Sequence, residues 1–148
     1  MKTLLMGNED TWSGLLAVIE DLTDEQLKFK STENPNQRSI AEIIKHVPET
    51  QYGFYTLTLV LEKPEEVVFD EPQTVEEAKK MLSDAYQKTV STWQKITKEQ
   101  LERGFTTEWG QELTGELALF QSITHTHYHI SEICFLRGCG GFPTKAMG

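Results

Sequence analysis

Apolar residues in this chain recur at intervals of three and four, and nowhere alternate for long, which makes helices the only extended elements it supports. Leu4, Leu5, Trp12, Leu15, Leu16, Ile19 and Leu22 fall on one face of a helix expected over residues 2–22. A second run carries Ile40, Ile43, Ile44, Val47, Phe54 and Leu61. It opens with Ser39-Ile40-Ala41-Glu42, in which Ser39 caps a free backbone N–H and Glu42 reaches back. The third opens with the same device, Thr74-Val75-Glu76-Glu77, and continues through Ala78, Met81, Leu82, Ala85, Val90 and Trp93. The fourth begins after Thr114 and stops at Arg137-Gly138, a basic last turn followed by a terminating glycine. Pro48 removes one backbone bond inside the second run and should kink it. The expected class is all-α, with no sheet.

The chain also repeats itself. Leu22-Thr23-Asp24-Glu25-Gln26-Leu27 returns as Ile96-Thr97-Lys98-Glu99-Gln100-Leu101, each copy after a long helix and each with a capping-box pattern suited to a short helical turn. Two similar helical-hairpin halves follow, joined by the acidic, proline-bounded linker of residues 63–72. With 148 residues and 38% hydrophobic content, residues 1–148 are expected to form one domain, in which four amphipathic helices bury their stripes as a bundle.

A net charge of −9 repels phosphate backbones and argues against nucleic acid as a partner. No apolar run reaches the ~20 residues of a membrane span, and Asn8-Glu9-Asp10 interrupts the start too early for a signal peptide. Two cysteines, Cys134 and Cys139, make neither a disulfide framework nor a four-thiolate zinc site. The expectation is a cytoplasmic protein.

Three of the four histidines stand in His125-Thr126-His127-Tyr128-His129. At about 100° per residue, His125 and His129 share a helix face one turn apart while His127 points away. Two imidazoles so spaced offer two nitrogens to one metal ion, and His46, bordering the second apolar stripe, is the remaining imidazole. A zincin protease is excluded because Thr126, not Glu, follows His125. A carboxylate-bridged di-iron bundle is excluded because no Glu-x-x-His motif is present.

With Ser39-Ile40-Ala41-Glu42-Ile43-Ile44-Lys45-His46 in one helix, and His125-x3-His129 followed by Ile133, Leu136, Arg137, Gly138 and Gly140 in another, the sequence resembles the DinB/YfiT-like superfamily over nearly its full length. That resemblance implies a four-helix bundle of up-down-down-up topology, often dimeric, in which His46, His125 and His129 hold one divalent metal ion, zinc or nickel. It further implies a metal-dependent transferase using a low-molecular-weight thiol of the bacillithiol, mycothiol or glutathione type, with a small electrophile as second substrate. The alternative is a non-catalytic, stress-related bundle that binds metal or a small ligand. Where the family often reads His-Arg-Gly-Gln, this chain reads His129-Ile130-Ser131-Glu132. Glu132 on the ligand face is then either a carboxylate orienting an imidazole or a solvated surface residue.

Thr50, Tyr52, Gly53 and Tyr55 follow His46 and are expected to line a cleft beside the metal. Tyr55 is a candidate cofactor-binding group, as is Trp109, on the loop before the fourth helix, which either closes over a cavity mouth or caps the core. Cys134 should pack, Cys139 should be exposed, and neither has the surroundings of a nucleophile. Leu119, Ile123, Ile130 and Cys134 suggest an outer apolar face on the fourth helix through which a homodimer would form.

Overall fold

Four helices of this chain start at capping boxes, at Thr23, Ser39, Thr74 and Thr97, each with both reciprocal hydrogen bonds made. Satisfying two orphan N–H groups at once makes such starts well defined. The computed structural model describes residues 1–31, 34 and 36–145, with α1 at Lys2–Ala17, α2 at Asp24–Leu27 and α3 at Ile40–Pro48. A π-helix follows at Glu49–Val60, then α4 at Val75–Trp93, α5 at Lys98–Glu102, and α6 at Gly115–Cys139. The long helices form an all-α bundle in which α1 packs on α6 and α4, and α3 with its π continuation packs on the same two. The short turns α2 and α5 occupy matching places in the two halves.

Several expectations are corrected. The first helix stops at Ala17, although Val18, Ile19 and Leu22 beyond it remain in the core. The second run does not simply kink at Pro48, because the helical bonding changes type there and continues for 12 residues with π geometry. Proline lacks the N–H that an i−4 carbonyl needs, so the ladder is already broken at this point. Looser winding is then reinforced from outside. The Thr56 hydroxyl donates to the Gln51 carbonyl (2.8 Å), and the Thr58 hydroxyl to that of Gly53 (3.1 Å). Buried Trp93 donates to Thr56 Oγ1 (2.8 Å), and buried Trp12 donates to Gln51 Oε1 (2.7 Å) and Asn8 Oδ1 (3.0 Å). A small antiparallel hairpin, β1 at Gly104–Thr106 and β2 at Glu112–Thr114, also contradicts the absence of sheet. Three-residue strands are too short to show alternation. The last helix runs on to Cys139, and the left-handed glycine that ends it is Gly141 (φ 78°) rather than Gly138.

The face of α6 expected outside is inside. Leu119, Ile123 and Ile130 are buried and Cys134 is half-buried. This face packs on α1, where Ile123 Cδ1 and Ile130 Cδ1 lie over the bare backbone of Gly7 and Gly14. The core has two parts. One gathers Leu15, Ile43, Ile44, Leu82, Ile133 and Leu136, the other Leu4, Val60, Trp93 and Leu119. Along α6, His125 and His129 sit where the helix passes from one to the other.

Candidate metal centre

Helix α3 carries His46 two turns from its capped start, and α6 carries His125 and His129 one turn apart. The packing of α3 on α6 brings the three together, with one ring nitrogen from each lying within 4.8 Å of the others. The rings meet edge-on around a common point, with centroids 4.5 Å apart for His125 and His129, 4.9 Å for His46 and His129, and 5.3 Å for His46 and His125. His125 Nε2 and His129 Nε2 are 3.1 Å apart. Nitrogens bound at 2.0–2.1 Å to one ion lie about 2.9–3.4 Å from each other, so this pair already has a ligand spacing. His46 completes the group from the other helix, its nitrogen within 4.8 Å of the other two.

Proton placement also favours a cation. His129 Nδ1 lies 2.7 Å from Glu132 Oε2 and carries the proton of that bond, so His129 Nε2 is a bare lone pair. A proton on His125 Nδ1 has no acceptor there, because this atom is buried and unpartnered, and two lone pairs then face each other across 3.1 Å. A proton on His125 Nε2 instead leaves a buried lone pair at Nδ1. A cation between the Nε2 atoms turns the facing lone pairs of the first arrangement into ligands. The residues fit a divalent ion of borderline softness.

Electrostatics keep the rings neutral. His46 and His125 are pushed down to about 4 from the ordinary 6.5, chiefly by burial, with smaller contributions from the neighbouring imidazoles and the positive charge of Arg38. Burial also lowers His129, against the pull of Glu132. An unfolded chain therefore takes up protons before the folded one as pH falls. Stability of the metal-free protein is expected to be complete above about pH 6.5 and to decline as pH falls toward 4, and protons should displace metal from the folded site only near the lower end of that range. Denaturant midpoints at pH 7 and pH 5 check this, and identical midpoints would contradict it.

A family profile described as the DinB superfamily matches residues 8–133. The chain belongs to the DinB superfamily. Among solved structures, this DinB protein resembles YfiT from Bacillus subtilis, described as a probable metal-dependent hydrolase with an unusual four-helix bundle topology. Identity is 20%, the TM-score 0.70, and the match covers 95% of this chain and 87% of YfiT. A DinB-like protein of Bacillus subtilis, YjoA, matches with 19% identity and a TM-score of 0.70, over 93% of this chain and 92% of that one. A mycothiol-dependent maleylpyruvate isomerase matches with 12% identity and a TM-score of 0.60, covering 89% of this chain and 60% of the isomerase. No curated protein matches.

Other expected site residues divide. In the DinB protein Glu132 is half-buried against His129, not free in solvent. Tyr55 is half-buried, its ring 6.0 Å from that of His125, and burial holds its phenol protonated. Thr50 Oγ1 lies 3.3 Å from both ring nitrogens of His46. Tyr52 and Gly53, by contrast, are turned away. Tyr52 is buried beneath Thr92 and Lys88 of α4, and Gly53 faces Val67 of the linker. Trp109 is 59% exposed at the hairpin turn and does not cap the core. His127 meets Thr11 Oγ1 (3.0 Å) on α1, away from the triad. Burial raises the Cys134 thiol, and Cys139 is exposed.

Sequence reasoning missed two groups. Phe54, read only as part of an apolar stripe, lies between Tyr55, which it meets edge-on, and Trp109, whose ring is tilted 33° to it. Arg38, which precedes the Ser39 cap, directs its charge at all three imidazoles. The π winding accounts for Tyr55. Nine α-helical residues would turn it about 180° from His46, and i→i+5 bonding brings it back toward the site.

Proposed function

We propose that this DinB protein is a metal-dependent transferase acting with a low-molecular-weight thiol. The observation that carries the reading is the donor set itself: three neutral imidazoles, with no carboxylate among them to cancel the ion's charge. Zinc or nickel suits such ligands, and the bound ion supplies the Lewis acidity that ionises a thiol near neutral pH. The chain's own residues do the rest. His46, His125 and His129 hold one face and leave the other to substrates. Glu132 fixes the tautomer and orientation of His129. Arg38 places a positive charge where a thiolate and its anionic substituents gather, in a chain otherwise at −9. In the transfer, the S–H proton would leave to solvent, the sulfur lone pair would form a C–S bond, and the electron pair of the bond broken at that carbon would depart with the leaving group, which takes up a proton from solvent. The mycothiol-dependent isomerase, with the same fold, supports thiol chemistry. Hydrolysis, suggested by the description of YfiT, needs a free base, and Glu132 is already bound to His129.

Cobalt-loaded protein titrated with a thiol such as glutathione or bacillithiol should change its visible spectrum, and the thiol's apparent pKa should fall below ~8.5. A spectrum indifferent to every cellular thiol would shift the assignment to a non-catalytic metal-binding bundle. Glu132→Gln should weaken metal binding or slow transfer by about 10–100-fold. An unchanged affinity and rate would remove Glu132 from the site.

We further propose a homodimer, through a different face from the one the sequence suggested. Leu117, Phe120, Tyr128 and Phe135 lie within one side of α6 and are 41%, 52%, 65% and 64% exposed. A stripe of that kind is characteristic of an interface. Sedimentation at micromolar concentration should show a dimer that Phe135→Glu dissociates, and a monomeric parent protein would refute it.

A further inference from the structure

A run of aromatic rings leads from the protein surface to a ligand ring. Trp109 lies 5.9 Å from Phe54 with planes tilted by 33°, Phe54 lies 5.2 Å from Tyr55, and Tyr55 lies 6.0 Å from His125. The outer end is exposed and held in place. Within the hairpin turn, Thr107 N–H donates to the Gln111 carbonyl and Gln111 N–H to Thr107 Oγ1, both at 2.9 Å. Gly110 takes the left-handed conformation the turn needs (φ 84°), and the Trp109 indole N–H donates to Gln111 Oε1 at 3.2 Å. An indole left 59% exposed forgoes the burial a large ring ordinarily gains, yet this turn fixes it beside Phe54.

We propose that Trp109 and Phe54 form a stacking platform for a flat, electron-poor aromatic ring, which is the acceptor substrate of the metal centre. This deepens the thiol-transfer reading and rests on it for the word acceptor. Indole and phenyl faces are electron-rich, so they favour a ring depleted of electrons over an aliphatic chain of equal size. Tyr55, in contact with both Phe54 and His125, joins the platform to the triad.

The test uses metal-free protein and 4-nitrobenzoate as probe. Trp12 and Trp93 are buried, so the indole a dissolved ring can touch is Trp109. Saturable quenching of tryptophan fluorescence is expected, with calorimetry giving the affinity. Phe54→Leu and Trp109→Leu should each weaken it about tenfold, as loss of a stacked partner does. Cyclohexanecarboxylate, equal in charge but without a π face, should not compete. Quenching that never saturates, equal competition by the aliphatic acid, or undiminished affinity in both folded variants would overturn the platform. Neither metal nor thiol is present, so that failure leaves the thiol reading standing, and the cobalt titration can fail without touching the platform.

Discussion

His46→Ala, His125→Ala and His129→Ala should each abolish tight binding of divalent metal, whereas His127→Ala should bind about one ion per chain like the parent. Three imidazoles make one site, and two of them offer an incomplete set that water must complete. His125 and His127 are only two residues apart on α6, but their nitrogens diverge, one to His129 Nε2 and the other to Thr11 on α1. The contrast is therefore free of composition effects, since every variant loses one histidine. Metal content after dialysis, measured by elemental analysis, decides it. Equal loss in the His127 variant would show that the ion is not where the triad would hold it. The triad variants should remain folded, and metal-free His125→Ala should be no less stable than the metal-free parent at pH 5, because it removes a ring that resists protonation in the folded state.

Arg137→Met should cost about 2–5 kcal/mol of stability, a drop of roughly 5–15 °C in Tm, while leaving metal affinity unchanged. Arg137 is only 2% exposed although it lies near the end of α6. Its Nη1 donates to the Val18 carbonyl (2.6 Å) and to Asp21 Oδ1 (2.7 Å), Nη2 to Asp21 Oδ2 (3.1 Å), and Nε to the Phe142 carbonyl (3.0 Å). One planar fork thus ties the end of α1, the turn after it and the C-terminal segment to α6. The hydrogen bonds from Arg137 hold the Asp21 carboxyl below its usual range. Methionine fills much of the volume but leaves the Val18, Phe142 and Pro143 carbonyls without this donor. Arg137→Lys should recover little, because an ammonium cannot reproduce the bidentate geometry. Thermal unfolding of the metal-free variants, followed by circular dichroism, checks the size of the effect. A loss under about 1 kcal/mol would mean that water replaces the guanidinium freely.

What the sequence by itself determined follows from local physics. Capping boxes at Ser39 and Thr74 place helix starts because they act within four residues, and the same holds for the twin turns at Thr23 and Thr97. His125 and His129 share a face because helical period alone dictates it. The grouping of His46 with them was suggested by resemblance, and the geometry of α3 packed on α6 supplies the distances. Tertiary structure decided the rest. Whether Leu119, Ile123 and Ile130 face solvent or core depends on what packs against α6, and α1, more than a hundred positions away, covers Ile123 and Ile130. The π winding after Pro48 depends on Trp12 and Trp93 reaching Gln51 and Thr56 from other helices, and no local pattern announces it. That winding turns Tyr52 away and brings Tyr55 toward His125. Arg137 read as an ordinary basic helix end until the fold closed Asp21 and the backbone carbonyls around it. Period and capping are properties of one segment, whereas burial and ring-to-ring contact belong to pairs of segments, and only packing says which pairs meet.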